Sequence, residues 1–334
     1  MKPGGRAART ARRRPEGDFA TGPVAVVGLG LIGGGMVRGL RAARPNREIL
    51  VVEPDAETRA AVRRARLATE VLPEITAAIG AARVVVIATP LAAVDSVLAR
   101  LATHIAPEAL LTDVVGIKLP MAELVARHLP DIAYVGAHPM AGGARGGFAN
   151  SRADMFRGST VGISPGPRAS AAQVAAIRAL WRTLEANPVD LSAEDHDRAV
   201  ALTSHLPYAI GLALDRLAAD RTGAARLAGP SFHDMTKRVL FAPEVMAAVV
   251  ASNPFIADTL RALAGECGRL ADLIAARPAA LVTEAVAARG RHLTAAARRA
   301  NGAPAKSARA KPAFAKPAFA KPGLKKAGGA LDQR

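Results

Sequence analysis

The sequence predicts an α/β domain built on a doubly wound, mostly parallel sheet, followed by an all-α domain. Three observations predict it. From Val24 to Leu191, short β-branched runs alternate with stretches of helical period. The first of those runs ends in a glycine-rich turn that opens a helix. From Ala193 the alternation stops, and alanine- and leucine-rich helical patterns take over as far as residue 300.

Residues 1–21 are rich in Arg, Gly and Ala and have no apolar stretch of the kind a secretory signal carries. No serine precedes Ser96, which argues against an organelle transit peptide, so a disordered basic extension is expected. Val24–Val27 then reads as the first strand. It ends in Gly28-Leu29-Gly30-Leu31-Ile32-Gly33, and a helical pattern follows through Met36, Val37 and Leu40. Strand, G-x-G-x-x-G and helix in that order form a dinucleotide-binding signature of the Rossmann type. Gly28 allows the tight turn, Gly30 lets backbone approach a pyrophosphate, and Gly33 permits close helix–strand packing, with the phosphates on the helix N-terminus. The second strand, Ile49–Val52, ends in Glu53, twenty residues after Gly33, where a carboxylate binds the adenosine ribose hydroxyls. A carboxylate there repels a 2′-phosphate, which favours NAD over NADP.

Further strands read as Val84–Ala88 and Leu110–Thr112. Thr89-Pro90 and Asp113 follow them, at the carboxyl edge where open α/β sheets bind ligands. Tyr134–Gly136 is a strand leading into His138. Thr160–Ser164 is another, residues 170–186 form a helix containing Trp181, and Val189–Leu191 is a last short strand. The nucleotide domain is therefore expected over 22–192. The helical domain is expected over 193–300, with breaks near Gly229-Pro230, Pro243 and Pro254. It is more apolar than one small bundle needs, which points to helices shared with a second copy of the chain. Residues 301–334 carry a Lys/Pro/Ala repeat without helical period and are expected to be disordered.

Composition narrows the function classes. Half the residues are apolar, so the chain is globular. The net charge of +17 suggests nucleic acid, but the first 22 residues and residues 301–334 supply 11 of those charges. Basic tails are not a basic groove, and nucleic acid is not the expected partner. No apolar run reaches the roughly 18–20 residues of a membrane span. The single cysteine, Cys267, excludes an internal disulfide framework and fits a reducing cytoplasm.

Three clusters could carry chemistry; none calls for a metal. His138, held ahead of Pro139 and followed by the glycines of HPMAGGARGG, sits between the cofactor edge and the helical segment. The second cluster is His196-Asp197 followed by Ser204-His205-Leu206-Pro207-Tyr208. Asp197 and His205 are eight residues apart, roughly one face of a helix and two turns distant. Polar groups in so apolar a helix are destabilising unless paired or used; a capping or packing role is the alternative reading for His196 and His205. The third cluster runs from Ser231 to Arg238, where Lys237 or Arg238 could bind a substrate carboxylate or form a solvated basic pair.

With these residues in view, the chain resembles the prephenate/arogenate dehydrogenase family of tyrosine biosynthesis. The resemblance covers roughly residues 23–265: GLGLIG, TDVVGIK, GAHPMAGGARGG, ADMFRG, EDHDRAVALTSHLP and FHDMTKR. It implies a Rossmann domain plus a dimer-building helical domain, and oxidation of a cyclohexadienyl substrate by NAD(P) with loss of carbon dioxide. It further implies that His138 is the catalytic histidine, that His205 lies on the substrate side beside Ser204, and that Asp197 orders the site. Four positions depart from the family pattern. Gly116 stands where a serine is common, Ala144 where a glutamate is common, Tyr208 where a second histidine is frequent, and Lys237 where an arginine clamps the substrate carboxylate. A related ring substrate, such as 4-amino-4-deoxyprephenate, is the near alternative. A non-catalytic NAD-binding protein whose basic tails recruit an acidic partner is the distant one.

Overall fold

The computed structural model describes residues 22–143, 145–240, 243–277 and 283–291. The expected disordered ends, the departure at Ala144 and the side chain of Arg238 lie outside the described residues. Internal contacts divide the chain between Gly265 and Glu266, and every element that builds the sheet and the site precedes that point.

Strands β1 (Val24–Val27), β2 (Ile49–Val52), β3 (Glu70–Leu72), β4 (Val84–Ile87), β5 (Leu110–Asp113), β6 (Ala133–Pro139), β7 (Thr160–Pro165) and β8 (Asn187–Asp190) form one sheet in the order β3-β2-β1-β4-β5-β6-β7-β8. The neighbours from β3 to β6 are parallel, β6 and β7 are antiparallel, and β7 and β8 are parallel. All four residues of β1, β2, β4 and β5 are buried. Helices on both faces of a parallel sheet demand that, and it is why these strands read as unbroken apolar runs.

Alternate residues of the central strands feed two separate cores. Val24, Val26, Ile49 and Val51 pack with Met36, Val37 and Leu40 of α1 (Leu31–Ala43) and with Ile177 and Trp181 of α5 (Ala171–Thr183). Ala25, Val27, Val85 and Ile87 pack with Val94, Leu98 and Leu101 of α3 (Leu91–Leu101) and Met121 and Val125 of α4 (Leu119–His128). Trp181 is fully buried edge-on to Phe156, with ring centroids 5.2 Å apart. Such a pair contributes about 0.5–1.5 kcal/mol beyond its area. Between β2 and β3 lies α2 (Ala56–Arg64), capped by Asp55.

Three sequence expectations need correction. β3 escaped notice because three residues, none of them fully buried, leave too little pattern. β8 begins at Asn187 and includes Pro188, which an edge strand tolerates because no neighbour needs its missing N–H. β6 runs on to Pro139, so His138 lies within the strand and not beyond it.

The helical segment follows as α6 (Ala193–Val200), a π-helical turn (Ala201–His205), α7 (Leu206–Ala219), α8 (Pro230–Thr236), α9 (Pro243–Ser252) and α10 (Ile256–Ala276). The proline punctuation of the sequence marks α8 and α9 at their first residues, where the missing N–H is harmless. No helix among the described residues is long and apolar enough to cross a membrane.

Candidate active site

The glycine turn has the shape a nucleotide requires. Gly28 has φ +93°, and a Cβ there would stand 2.8 Å from Thr89 Cγ2 and 3.0 Å from the Ala88 backbone. A Cβ on Gly33 would stand 2.1 Å from the Gly28 carbonyl oxygen, so only glycine lets α1 start against this turn. Gly30 faces open space and begins α1 with no side-chain cap, leaving the helix N-terminus available to an anion. Leu29 turns its side chain into the core, and Leu31 and Ile32 open the helix. Among the described residues the buried Thr89 hydroxyl has no partner, and Pro90 is the N-cap of α3. Glu53 accepts from the Leu29 N–H at 2.7 Å and the Asp55 N–H at 2.9 Å. Its remaining lone pairs suffice for two ribose hydroxyls. These residues fit a dinucleotide.

His138 is the outer member of a buried chain. Its Nδ1 lies 2.9 Å from His196 Nε2, and His196 Nδ1 lies 2.7 Å from Asp197 Oδ1. Asp197 also accepts from the backbone N–H groups of Lys118 and Leu119 at 2.8 Å each, across 79 and 78 residues of sequence. Those donors are at the start of α4, where a carboxylate is favoured by the helix dipole. The proton positions follow. Asp197 is the acceptor, so His196 donates from Nδ1 and presents its Nε2 lone pair to His138, which donates from Nδ1. The basic lone pair of His138 is therefore on Nε2, the atom nearest the space that Gly116 leaves open: a Cβ on Gly116 would stand 3.5 Å from it. Burial first, then the charges of His196, Lys118 and His205, push the His138 imidazole well below its ordinary value. It is a neutral base at physiological pH.

Glycines on the two strands make room for this chain. A Cβ on Gly162 of β7 would stand 2.9 Å from His196 Cδ2. A Cβ on Gly136 of β6 would stand 2.7 Å from Tyr134 Oη and 3.1 Å from Lys118 Cδ. Beneath lies a second buried group. Lys118, wholly inaccessible, pairs through Nζ with Asp113 Oδ1 and donates to the Ala137 carbonyl at 2.8 Å, one residue before His138. Asp113 also accepts from Tyr134 Oη at 2.6 Å and the Val115 N–H at 2.8 Å. Burial, followed by the Asp113 charge, holds the Tyr134 phenol well above its usual range, so it remains a donor.

His205 and Asp197, eight residues apart in the chain, are not bonded to each other through their side chains. The π-helical turn breaks the regular 3.6 period between them. Asn253 bridges instead, its Nδ2 lying 2.9 Å from the Asp197 carbonyl oxygen and 2.9 Å from His205 Nδ1. Nδ2 donates, so His205 accepts at Nδ1 and carries its proton on Nε2, a donor for a ligand. Burial lowers its pKa first, the Asp197 charge opposing. Tyr208 is buried one turn further along α7, while Ser204 is exposed on the π-helical turn. Lys237 is exposed and ion-paired with Asp234 at 2.8 Å, and it joins none of these contacts. Sequence reasoning missed Asn253 and Lys118 and undervalued His196. Asn253 gave no signal. Lys118 did: a lone lysine opening an apolar helix opposes the helix dipole and needs a buried anion.

Residues 36–189 match the family model of the prephenate dehydrogenase nucleotide-binding domain, and residues 192–285 that of the prephenate dehydrogenase dimerization domain. A cyclohexadienyl dehydrogenase of Zymomonas mobilis is 27% identical over 235 residues, covering 69% of this chain and 80% of that protein. Among solved structures, arogenate dehydrogenase of Synechocystis superposes with a TM-score of 0.71 at 24% identity, covering 81% of this chain and 99% of that one. A prephenate dehydrogenase from A. aeolicus, solved with hydroxyphenyl propionate and NAD+, superposes with a TM-score of 0.72 at 19% identity, covering 82% and 98%. At these identities the two structures bear on the fold.

Proposed function

From the premise that the chain belongs to the prephenate dehydrogenase family, we propose that it oxidises prephenate to 4-hydroxyphenylpyruvate, or arogenate to tyrosine, with NAD and loss of carbon dioxide. The observation that carries the reading is the neutral His138, fixed at Nδ1 by His196 and free at Nε2. A bound nicotinamide supplies the hydride acceptor. Residues 28–33 and Glu53 hold the nucleotide, and the Glu53 carboxylate favours NAD because it repels a 2′-phosphate. His138 accepts the ring-hydroxyl proton at Nε2 as C4 becomes a carbonyl-like centre. Decarboxylation then makes the ring aromatic, which renders the step effectively irreversible. His205 offers an Nε2–H to the substrate, and Asp197 fixes His196 and ties it to the start of α4.

The nucleotide segment runs over 22–192 and the helical segment over 193–300, a division supported by the separate matches at 36–189 and 192–285. The active form is a homodimer through the helical segment. The dimerization-domain match supports this, as does apolar surface at Leu202, Leu212, Leu217, Leu227 and Leu240. A cytoplasmic setting suits the single cysteine.

The test is NADH formation with each substrate, in the parent and in His138→Asn. The parent turns over at least one, and the variant loses about 10²–10⁴-fold in kcat while still binding nucleotide. Turnover of neither substrate, or a variant as fast as the parent, removes the proposal.

A further inference from the structure

We infer that His196 is a second proton carrier of this reaction, receiving through His138 the proton that the ring hydroxyl gives up. The inference rests on the dehydrogenase reading above. A histidine that merely packs or caps needs one partner. His196, 1% exposed, has both ring nitrogens bonded in line, to His138 at 2.9 Å and Asp197 at 2.7 Å, and Gly162 keeps its space clear.

Charge decides where the proton rests. Among the described residues no carboxylate is bonded to His138, and its ionisable neighbours include the Lys118 ammonium and two other imidazoles. A proton kept there is an unpaired buried cation, which is costly. On His196 the same proton forms an ion pair with Asp197, whose carboxylate is already anchored by two backbone N–H groups.

The bookkeeping closes. The C4–O–H proton passes to His138 Nε2 as C4 gives its hydride to the nicotinamide. The Nδ1 proton of His138 passes to His196 Nε2, and the His196 Nδ1–H stays on Asp197. Cleavage of the carboxylate–ring bond releases carbon dioxide and leaves its electron pair in the new aromatic system, with the oxygen anionic. The two protons then retrace their path and give the neutral phenol. One electron pair leaves with the hydride, and no net proton is taken up.

His196→Gln separates carrying from orienting, because the amide oxygen still accepts from His138 Nδ1–H and the amide nitrogen still donates to Asp197, yet the group carries no proton. We expect kcat to fall about 10²-fold or more, with KM and the nucleotide Kd within about threefold of the parent. A kcat within about threefold of the parent, or a joint worsening of kcat, KM and Kd, overturns the inference. The parent supplies a second readout that needs no variant: kcat in mixtures of H2O and D2O traces a bowl-shaped curve when two protons move together, and a straight line overturns the relay. A parent inactive on both substrates sinks the reading beneath it, a different result from an active parent with an undiminished variant.

Discussion

Lys118→Met tests whether the buried pair beneath His138 holds the site together. The substitution keeps most of the side-chain volume and removes the ammonium. Among the described residues Asp113 then keeps the Tyr134 hydroxyl and the Val115 N–H, and the Ala137 carbonyl loses its lysine donor. Both members of the pair are wholly inaccessible, so water does not replace what is lost. Breaking such a pair from one side costs about 3–5 kcal/mol. At about 2–4 °C per kcal/mol for a domain of this size, Tm falls by roughly 6–20 °C. Urea unfolding followed by circular dichroism measures it, with an unchanged m-value expected. Adding Asp113→Asn removes the stranded charge while keeping an acceptor for Tyr134, and should restore about half of the loss or more, since removing both charges is far milder than removing one. A single variant within about 1 kcal/mol of the parent, or a double variant less stable than the single, refutes the reasoning.

Three further outcomes follow from the same groups. Gly162→Ala places a Cβ 2.9 Å from His196 Cδ2, closer than real Cβ atoms approach, so the ring must shift and His138 loses its fixed tautomer; kcat drops by about 10-fold or more while isothermal titration shows nucleotide binding unchanged. The depressed pKa of His138, and the smaller lowering at His205, put the acid limb of kcat/KM below the ordinary imidazole value of about 6.5, and a limb at or above that value would contradict the neutral-base assignment. The same shifts set a stability trend. Below about pH 6.5 the unfolded chain binds protons that the folded chain refuses, so stability falls as pH drops through that value, which thermal unfolding against pH will show.

The sequence by itself determined what local pattern encodes. β1, β2, β4 and β5 are buried on both faces, so their apolar runs announce them, and the glycine turn is legible because Gly28 and Gly33 are needed for steric reasons internal to one strand–turn–helix unit. His138 was legible by its place beside that sheet edge. Tertiary structure alone decided how the chemistry is wired. Lys118 meets Asp197 across 79 residues, and Asn253 meets His205 across 48. The spacing of Asp197 and His205 put them two turns apart on one helix, but a π-helical turn lies between them, and their bonds to His196 and Asn253 were not written in that spacing. Hydrogen bonds to buried groups are chosen by whichever donor the packed fold brings within about 3 Å, and no periodicity in the chain records that choice.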